Sequence, residues 1–251
     1  MINSNNSTDK KVVLVTGASS GIGRQIALDL SFTDYSVYLQ GRDTERLMGT
    51  LQEMKYPELH KVLEWDLLDF DSYDKNLADL PCLDGVVHSA GISSKLTLLP
   101  FVKLDNLRKI QDTNLNSIII ILSKLWKLKK FNKNGSVVLL SSASADNGVV
   151  GTLAYAVSKG AINSAVKVLA SEFAVKNIRV NAISPGMVKT PMQEMFASSM
   201  GGESLEKDIA NYLFGYGETK DVSNLVKFLL SEESKWITGS IMKIDGGYKC
   251  K

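Results

Sequence analysis

Short runs of β-branched and aliphatic residues alternate along this chain with stretches whose apolar positions recur every three or four residues. Residues 12–15, 37–39, 62–65, 85–88, 137–140, 179–183 and 241–244 read as strands. Several are apolar without alternation, as in strands buried on both faces of a parallel sheet. Between them, Ile22, Ile26, Ala27 and Leu30 form one helical stripe, and Ala161, Ala165, Val168 and Leu169 form another. Alternating strands and helices predict one doubly wound, Rossmann-type α/β domain over residues 11–251. Its expected core is a seven-stranded parallel sheet with helices on both faces. Residues 1–10 are polar and read as a disordered N-terminal segment. The least regular stretch, 188–217, reads as a substrate loop.

Composition narrows the function classes. The chain has 251 residues, 44% hydrophobic and 22% charged, which is ordinary globular composition. A net charge of +2 implies no nucleic-acid partner. Cys82 and Cys250 cannot make a disulfide framework, so a reducing, cytoplasmic compartment is expected. The polar N-terminus lacks the apolar region of a secretory signal. The longest aliphatic run, 118–122, is far too short for a bilayer span, so no membrane association is expected. No metal site is expected either.

The first strand runs into Thr16-Gly17-Ala18-Ser19-Ser20-Gly21-Ile22-Gly23, and a helix follows. Gly17 allows a sharp turn, while Gly21 and Gly23 remove side chains where backbone must approach a pyrophosphate or the sheet. The helix N-terminus offers N–H donors and a positive dipole end to phosphate. The second strand ends Leu39-Gln40-Gly41-Arg42-Asp43. Gly41 then stands where an NAD-selective fold has an acidic residue, and Arg42 suits a 2′-phosphate, which favours NADPH over NADH. The other reading leaves Arg42 as a solvated charge and gives the discrimination to Asp43. Asp66 either accepts from an adenine amino group or caps a helix before Leu67. Ser89-Ala90-Gly91 would let a flat ring lie close to backbone, and the adjacent His88 reads as packed.

Tyr155 and Lys159 stand four residues apart, one helical turn, with Ser142 upstream at the end of a predicted strand. A free phenol titrates near ~10, and a neighbouring ammonium favours its ionised form. The three side chains converge on the carboxyl ends of the strands, where open α/β sheets bind ligands. Hydride transfer to or from a carbonyl carbon is the chemistry they suit.

These residues resemble the short-chain dehydrogenase/reductase family over nearly the whole chain. The resemblance rests on Thr16-Gly17-x-x-x-Gly21-x-Gly23, Asp66, Ala90-Gly91, Asn114, Ser142, Tyr155-x-x-x-Lys159, Asn181-x-x-x-Pro185-Gly186 and Asp245-Gly246-Gly247. It implies that Tyr155 is the general acid–base and that Ser142 polarises the substrate oxygen. It implies that Lys159 binds the nicotinamide ribose and lowers the tyrosine pKa, and that Asn114 holds a water for a proton relay. Pro185, Gly186, Val188 and Thr190 would line the nicotinamide and its phosphates, and Leu67 would join Asp66 at the adenine. The family usually has Asn-Asn-Ala-Gly where this chain has His88-Ser89-Ala90-Gly91.

Within that family the chain is similar to 3-oxoacyl-acyl-carrier-protein reductases. The resemblance implies an acyl-thioester substrate and an acyl carrier protein as partner. Reduction of a sugar, a polyol or another small ketone stays open, as does a non-catalytic NADPH-binding module. Lys124, Lys127, Lys129, Lys130 and Lys133 could dock an acidic carrier or simply solvate a surface. Lys133 matches a docking position of the group, but Ser171 stands where its other docking residue is arginine. Met192, Met195, Phe196, Met200, Leu205, Ile209, Tyr212, Leu213 and Phe214 in the 188–217 stretch either form a lid over a largely apolar pocket or in part pack on the core. Small residues at Gly160, Ala161, Ser164 and Ala165 permit close helix contact, and the resemblance implies a dimer or tetramer.

Overall fold

Seven strands form one parallel sheet in the order β3-β2-β1-β4-β5-β6-β7, seen in a computed structural model that describes residues 10–198 and 202–250. They are β1 (Lys11–Thr16), β2 (Tyr35–Gly41), β3 (Lys61–Glu64), β4 (Leu83–His88), β5 (Phe131–Leu140), β6 (Arg179–Pro185) and β7 (Ile241–Ile244). Each overlaps a run expected from the hydrophobic pattern. β5 is the largest extension, starting six residues early at Phe131. Residues 1–9 of the N-terminal segment lie outside the described residues.

Alternate strand residues feed two separate cores, which is why the strands read as unbroken apolar runs. Val13, Val15, Val87, Val138 and Ile183 face α1 (Gly21–Leu30), α2 (Thr44–Glu53) and α9 (Thr219–Leu230). Leu14, Val86, Val137, Leu139 and Val180 face α3 (Tyr73–Ala78), α5 (Ser117–Lys127) and α6 (Leu153–Phe173). The helix α4 (Leu104–Gln111) joins α5 through a π-turn, Asp112–Asn116.

Two expectations are corrected. The buried face of α6 is Ile162, Val166, Ala170 and Phe173, whereas Val168 of the expected stripe is exposed. Ala161, Ala165 and Leu169 pack only at the margin of the core. The 188–217 stretch is not an irregular loop: it carries α7 (Pro191–Ser198) and α8 (Gly202–Ile209). A parallel bridge between Val188 and Gly217 closes its base.

The chain lays β2 and β3 on one side of β1, then crosses to β4 and continues outward on the other side. That reversal opens a crevice beyond the carboxyl ends of β1 and β4, where such sheets take their ligands.

Candidate active site

A crevice of about 470 Å³ fills this position, running from the glycine-rich turn to α7 and α8. Gly17 turns with φ +69°, and a Cβ there would stand 2.7 Å from the Ala90 Cα. A Cβ on Gly23 would overlap the Gly17 carbonyl oxygen. Gly23 therefore lies beneath the turn rather than on the crevice wall. Ser20 precedes α1 in extended conformation, with no side-chain cap and no acidic residue in the first turn. The leading N–H groups of α1 are thus left for an anion, and Ser19, Ser20, Gly21 and Ile22 line the crevice around them. A dinucleotide pyrophosphate fits this cradle.

Arg42 and Asp43 line the next part of the wall. Asp43 caps α2 by accepting from the Arg46 N–H at 3.1 Å, and its other oxygen pairs with Arg46 Nε at 3.4 Å. Its carboxylate is therefore engaged within the chain, while Arg42 is exposed at the rim. Arg46 lines the same rim. Its position four residues beyond Arg42 was a legible signal that sequence reasoning missed. Asp66 caps a turn, accepting from Leu68 N–H at 3.0 Å; no helix begins at Leu67, which is buried. Asp66, Leu67, Ala90, Gly91, Pro185, Gly186, Val188 and Thr190 all line the crevice.

α6 carries Tyr155 and Lys159, and β5 delivers Ser142 to the same wall. Ser142 Oγ accepts from the Ser144 N–H at 3.1 Å, which leaves its own proton to donate. The Lys159 ammonium is 3% exposed and donates to the Leu140 carbonyl at 2.7 Å, leaving two N–H donors. It stands 5.7 Å from the centre of the Tyr155 ring. Burial pulls Lys159 down to about 8. Burial also raises the Tyr155 phenol, and the Ser142 hydroxyl partly offsets that rise. Burial is the larger of the two effects, and the phenol is held protonated, as a proton donor requires.

Asn114 is buried in the π-turn and does not line the crevice. Its side chain clasps Ile92, accepting from the N–H at 2.8 Å and donating to the carbonyl at 3.0 Å. It also donates to Ser158 Oγ at 3.0 Å.

The far end of the crevice is mixed in character. Met187, Met192 and Phe196 contribute apolar surface, while Asp208, Tyr212 and Tyr248 form a polar corner. Tyr216 donates to Asp208 at 2.8 Å, and the Tyr212 hydroxyl accepts from Met187 N–H at 3.2 Å. Asp208 and Tyr248 stand forty residues apart in the chain, and no local pattern joins them. Met195, Ile209, Leu213 and Phe214 of the expected set are instead exposed and off the wall, Leu205 is also off it, and Met200 lies outside the described residues. The lysine cluster lies at the opposite end of β5 from the crevice. There Lys124 pairs with Asp74 at 2.6 Å and Lys130 donates to the Leu80 carbonyl at 2.5 Å.

A phosphate cradle opening onto a phenol, a hydroxyl and an ammonium suits a dinucleotide-dependent oxidoreductase. Comparison with known proteins gives the family. The family model described as Enoyl-(Acyl carrier protein) reductase matches residues 17–249. The 3-oxoacyl-[acyl-carrier-protein] reductase FabG of Aquifex aeolicus is 31% identical over 243 residues, covering 94% of this chain and 96% of that protein. Short-chain dehydrogenase/reductase aba4 of Botryotinia fuckeliana is 32% identical over 262 residues, covering 96% and 97%. A short-chain type dehydrogenase/reductase from Mycobacterium ulcerans superposes with a TM-score of 0.86 at 29% identity, covering 96% of this chain and 90% of that one. The structure of ElxO with NADP bound gives 0.84 at 30% identity, covering 96% and 100%. The chain belongs to the short-chain dehydrogenase/reductase family and is an oxidoreductase that takes a nicotinamide cofactor. Among the described residues no helix is long and apolar enough to cross a membrane, and no His/Cys/Asp/Glu group is arranged to hold a metal ion.

Proposed function

We propose that the protein is an NADPH-dependent reductase of a ketone, with a 3-oxoacyl thioester as the ketone. The observation that carries the reductase reading is the Ser142–Tyr155–Lys159 group with its phenol raised by burial. A reduced nicotinamide, when bound, supplies the hydride. Tyr155 then protonates the carbonyl oxygen. The Ser142 hydroxyl, which accepts from the Ser144 N–H, donates its own proton to the developing alkoxide and stabilises it. The two remaining Lys159 donors hold the nicotinamide ribose and stabilise the phenolate that the transfer leaves behind.

Arg42 supports NADPH, because Asp43 is spent on capping α2 and Arg42 and Arg46 are both at the rim. The acyl reading draws on the apolar part of the far lobe and on relatives named as 3-oxoacyl-acyl-carrier-protein reductases. It does not draw on the lysine cluster, which lies at the other end of the sheet. An acyl carrier protein as donor of the substrate, and a cytoplasmic location, belong to this reading. So does a homo-oligomer built on the small residues of α6, beside the exposed Val157 and Val168. A second reading, reduction of a sugar, polyol or small polar ketone, is favoured by Asp208 and Asn147 on the wall of the crevice.

The test is NADPH consumption with 3-oxobutanoyl-N-acetylcysteamine, ethyl 3-oxobutanoate and a set of keto-sugars. Preference for the thioester supports the acyl reading, and activity on keto-sugars alone moves the protein to the second. NADPH binding with no turnover of any carbonyl would leave a non-catalytic binding module.

A further inference from the structure

His88 is fully buried behind the crevice, and the reaction described above does not use it. Its hydrogen bonds define its tautomer. The Asn114 carbonyl can only accept, so the His88 nitrogen facing it must carry the ring proton, and the Thr16 hydroxyl, which accepts from the Ala90 N–H at 3.2 Å, donates its own proton to His88 Nδ1 at 2.9 Å. Nδ1 is then an acceptor, and the ring proton sits on Nε2, which donates to the Asn114 carbonyl at 3.2 Å. Burial and the nearby Lys159 charge pull His88 down to about 3, so the imidazole is neutral at working pH.

The carbonyl it holds lies inside the π-turn, the irregular segment between α4 and α5. Such turns interrupt the regular backbone ladder and need other partners to hold them. From the same residue the Asn114 side chain reaches Ser158, the neighbour of Lys159 on α6. Asn114 Oδ1 and Lys159 Nζ also converge on Gly91, each 3.4 Å from where a Cβ would stand.

We propose that His88 is a positioning residue: as the Nε2–H tautomer, held from behind by Thr16, it pins the π-turn and, through Asn114, fixes where the Lys159 ammonium stands. One imidazole thereby ties the start of the phosphate turn, the end of β4 and the catalytic helix together. The inference rests on the catalytic reading of Tyr155 and Lys159.

The variants are His88→Leu, His88→Gln and Thr16→Val. Turnover is read with NADPH and 3-oxobutanoyl-N-acetylcysteamine, and NADPH affinity by fluorescence. Lys159 is titrated by NMR of protein carrying isotope-labelled lysine, its signal assigned as the one lost in Lys159→Met. That titration decides even if the thioester is not a substrate. His88→Leu should lower kcat by about tenfold or more, with KM and NADPH affinity within about threefold, because a small displacement at the reacting group is felt in the rate. It should also move the Lys159 titration midpoint by about 0.5 in pH, since that midpoint is set by how the ammonium is buried and held. His88→Gln, which keeps an N–H donor, should recover most of both. Wild-type kcat and titration in His88→Leu, with only a lowered Tm, would reduce His88 to a packing residue and overturn the proposal. Equal defects in the Leu and Gln variants would also overturn it. If His88→Leu does not fold, Thr16→Val and His88→Gln decide, and a wild-type titration in Thr16→Val sinks the proposal. Failure of the catalytic reading shows separately, as turnover retained by Tyr155→Phe with His88 intact.

Discussion

The two halves of the crevice are made of different materials. Beside β1 to β3 the phosphate-facing floor is backbone, made of the Gly17 turn, the open N-terminus of α1 and the small residues after β4, with Arg42, Arg46 and Asp66 at its edge. Beside α7 and α8 the wall is side chains, with Met187, Met192, Phe196, Asp208, Tyr212 and Tyr248 drawn from three separate segments. Backbone can present N–H groups to a phosphate whatever the neighbouring side chains are, so the first half suits one ligand class held in common. Side chains set shape and polarity one at a time, so the second half is where this chain's own substrate is chosen.

The largest effect should come from the boundary between the halves. Tyr155→Phe should lower turnover by about 10²–10⁴-fold while NADPH affinity stays near wild type. A parallel loss of cofactor binding would make Tyr155 part of the cofactor half instead. Acid should separate the halves next. Of the two histidines of the chain, His88 stands behind the cofactor half and His60 at the opposite, amino-terminal end of β3, and burial lowers the pKa of each. The unfolded chain protonates near the ordinary value of 6.5, whereas folded His88 resists down to about 3. Stability from this source is therefore complete above about 6.5 and is lost as pH falls toward 3, at about 1.4 kcal/mol for each tenfold rise in proton concentration. Hydrogen exchange followed from pH 7 to about pH 4 should show β1, β3 and β4 loosening before α7 and α8; the reverse order would break the comparison.

Substitutions on each wall should then act on one ligand only. Arg42→Ala should weaken NADPH by about 10–100-fold and NADH by less than about threefold, the cost of one charge-assisted contact to a phosphate. Equal loss for both would remove the 2′-phosphate assignment. Asp208→Asn should be the mildest, changing KM ratios among carbonyl substrates by about two- to fivefold with NADPH affinity unchanged. A change in NADPH binding would show that the polar corner serves both halves.

The same division governs what was legible beforehand. The glycine turn, the Tyr155–Lys159 spacing and all seven strands were readable because each is a local pattern: a turn needs particular residues, and a helix places i and i+4 together. The α6 stripe was misread because small residues satisfy a helical period without being the face that packs. Ile162, Val166, Ala170 and Phe173 reach the sheet, and Val168 points away. The 188–217 stretch was misread for a different reason. Met and Phe content marks it as apolar, but α7 and α8 take their place from the Val188–Gly217 bridge and from contacts around Tyr212.

By itself the sequence determined a parallel sheet with a dinucleotide turn and a phenol–ammonium pair, because those depend on periodicity and short spacing. Only the tertiary structure decided that burial raises the Tyr155 phenol, that Asp43 is spent on a helix cap, and that His88 reaches the Asn114 carbonyl. Each of these depends on what surrounds a side chain, and the surroundings are assembled from segments distant along the chain.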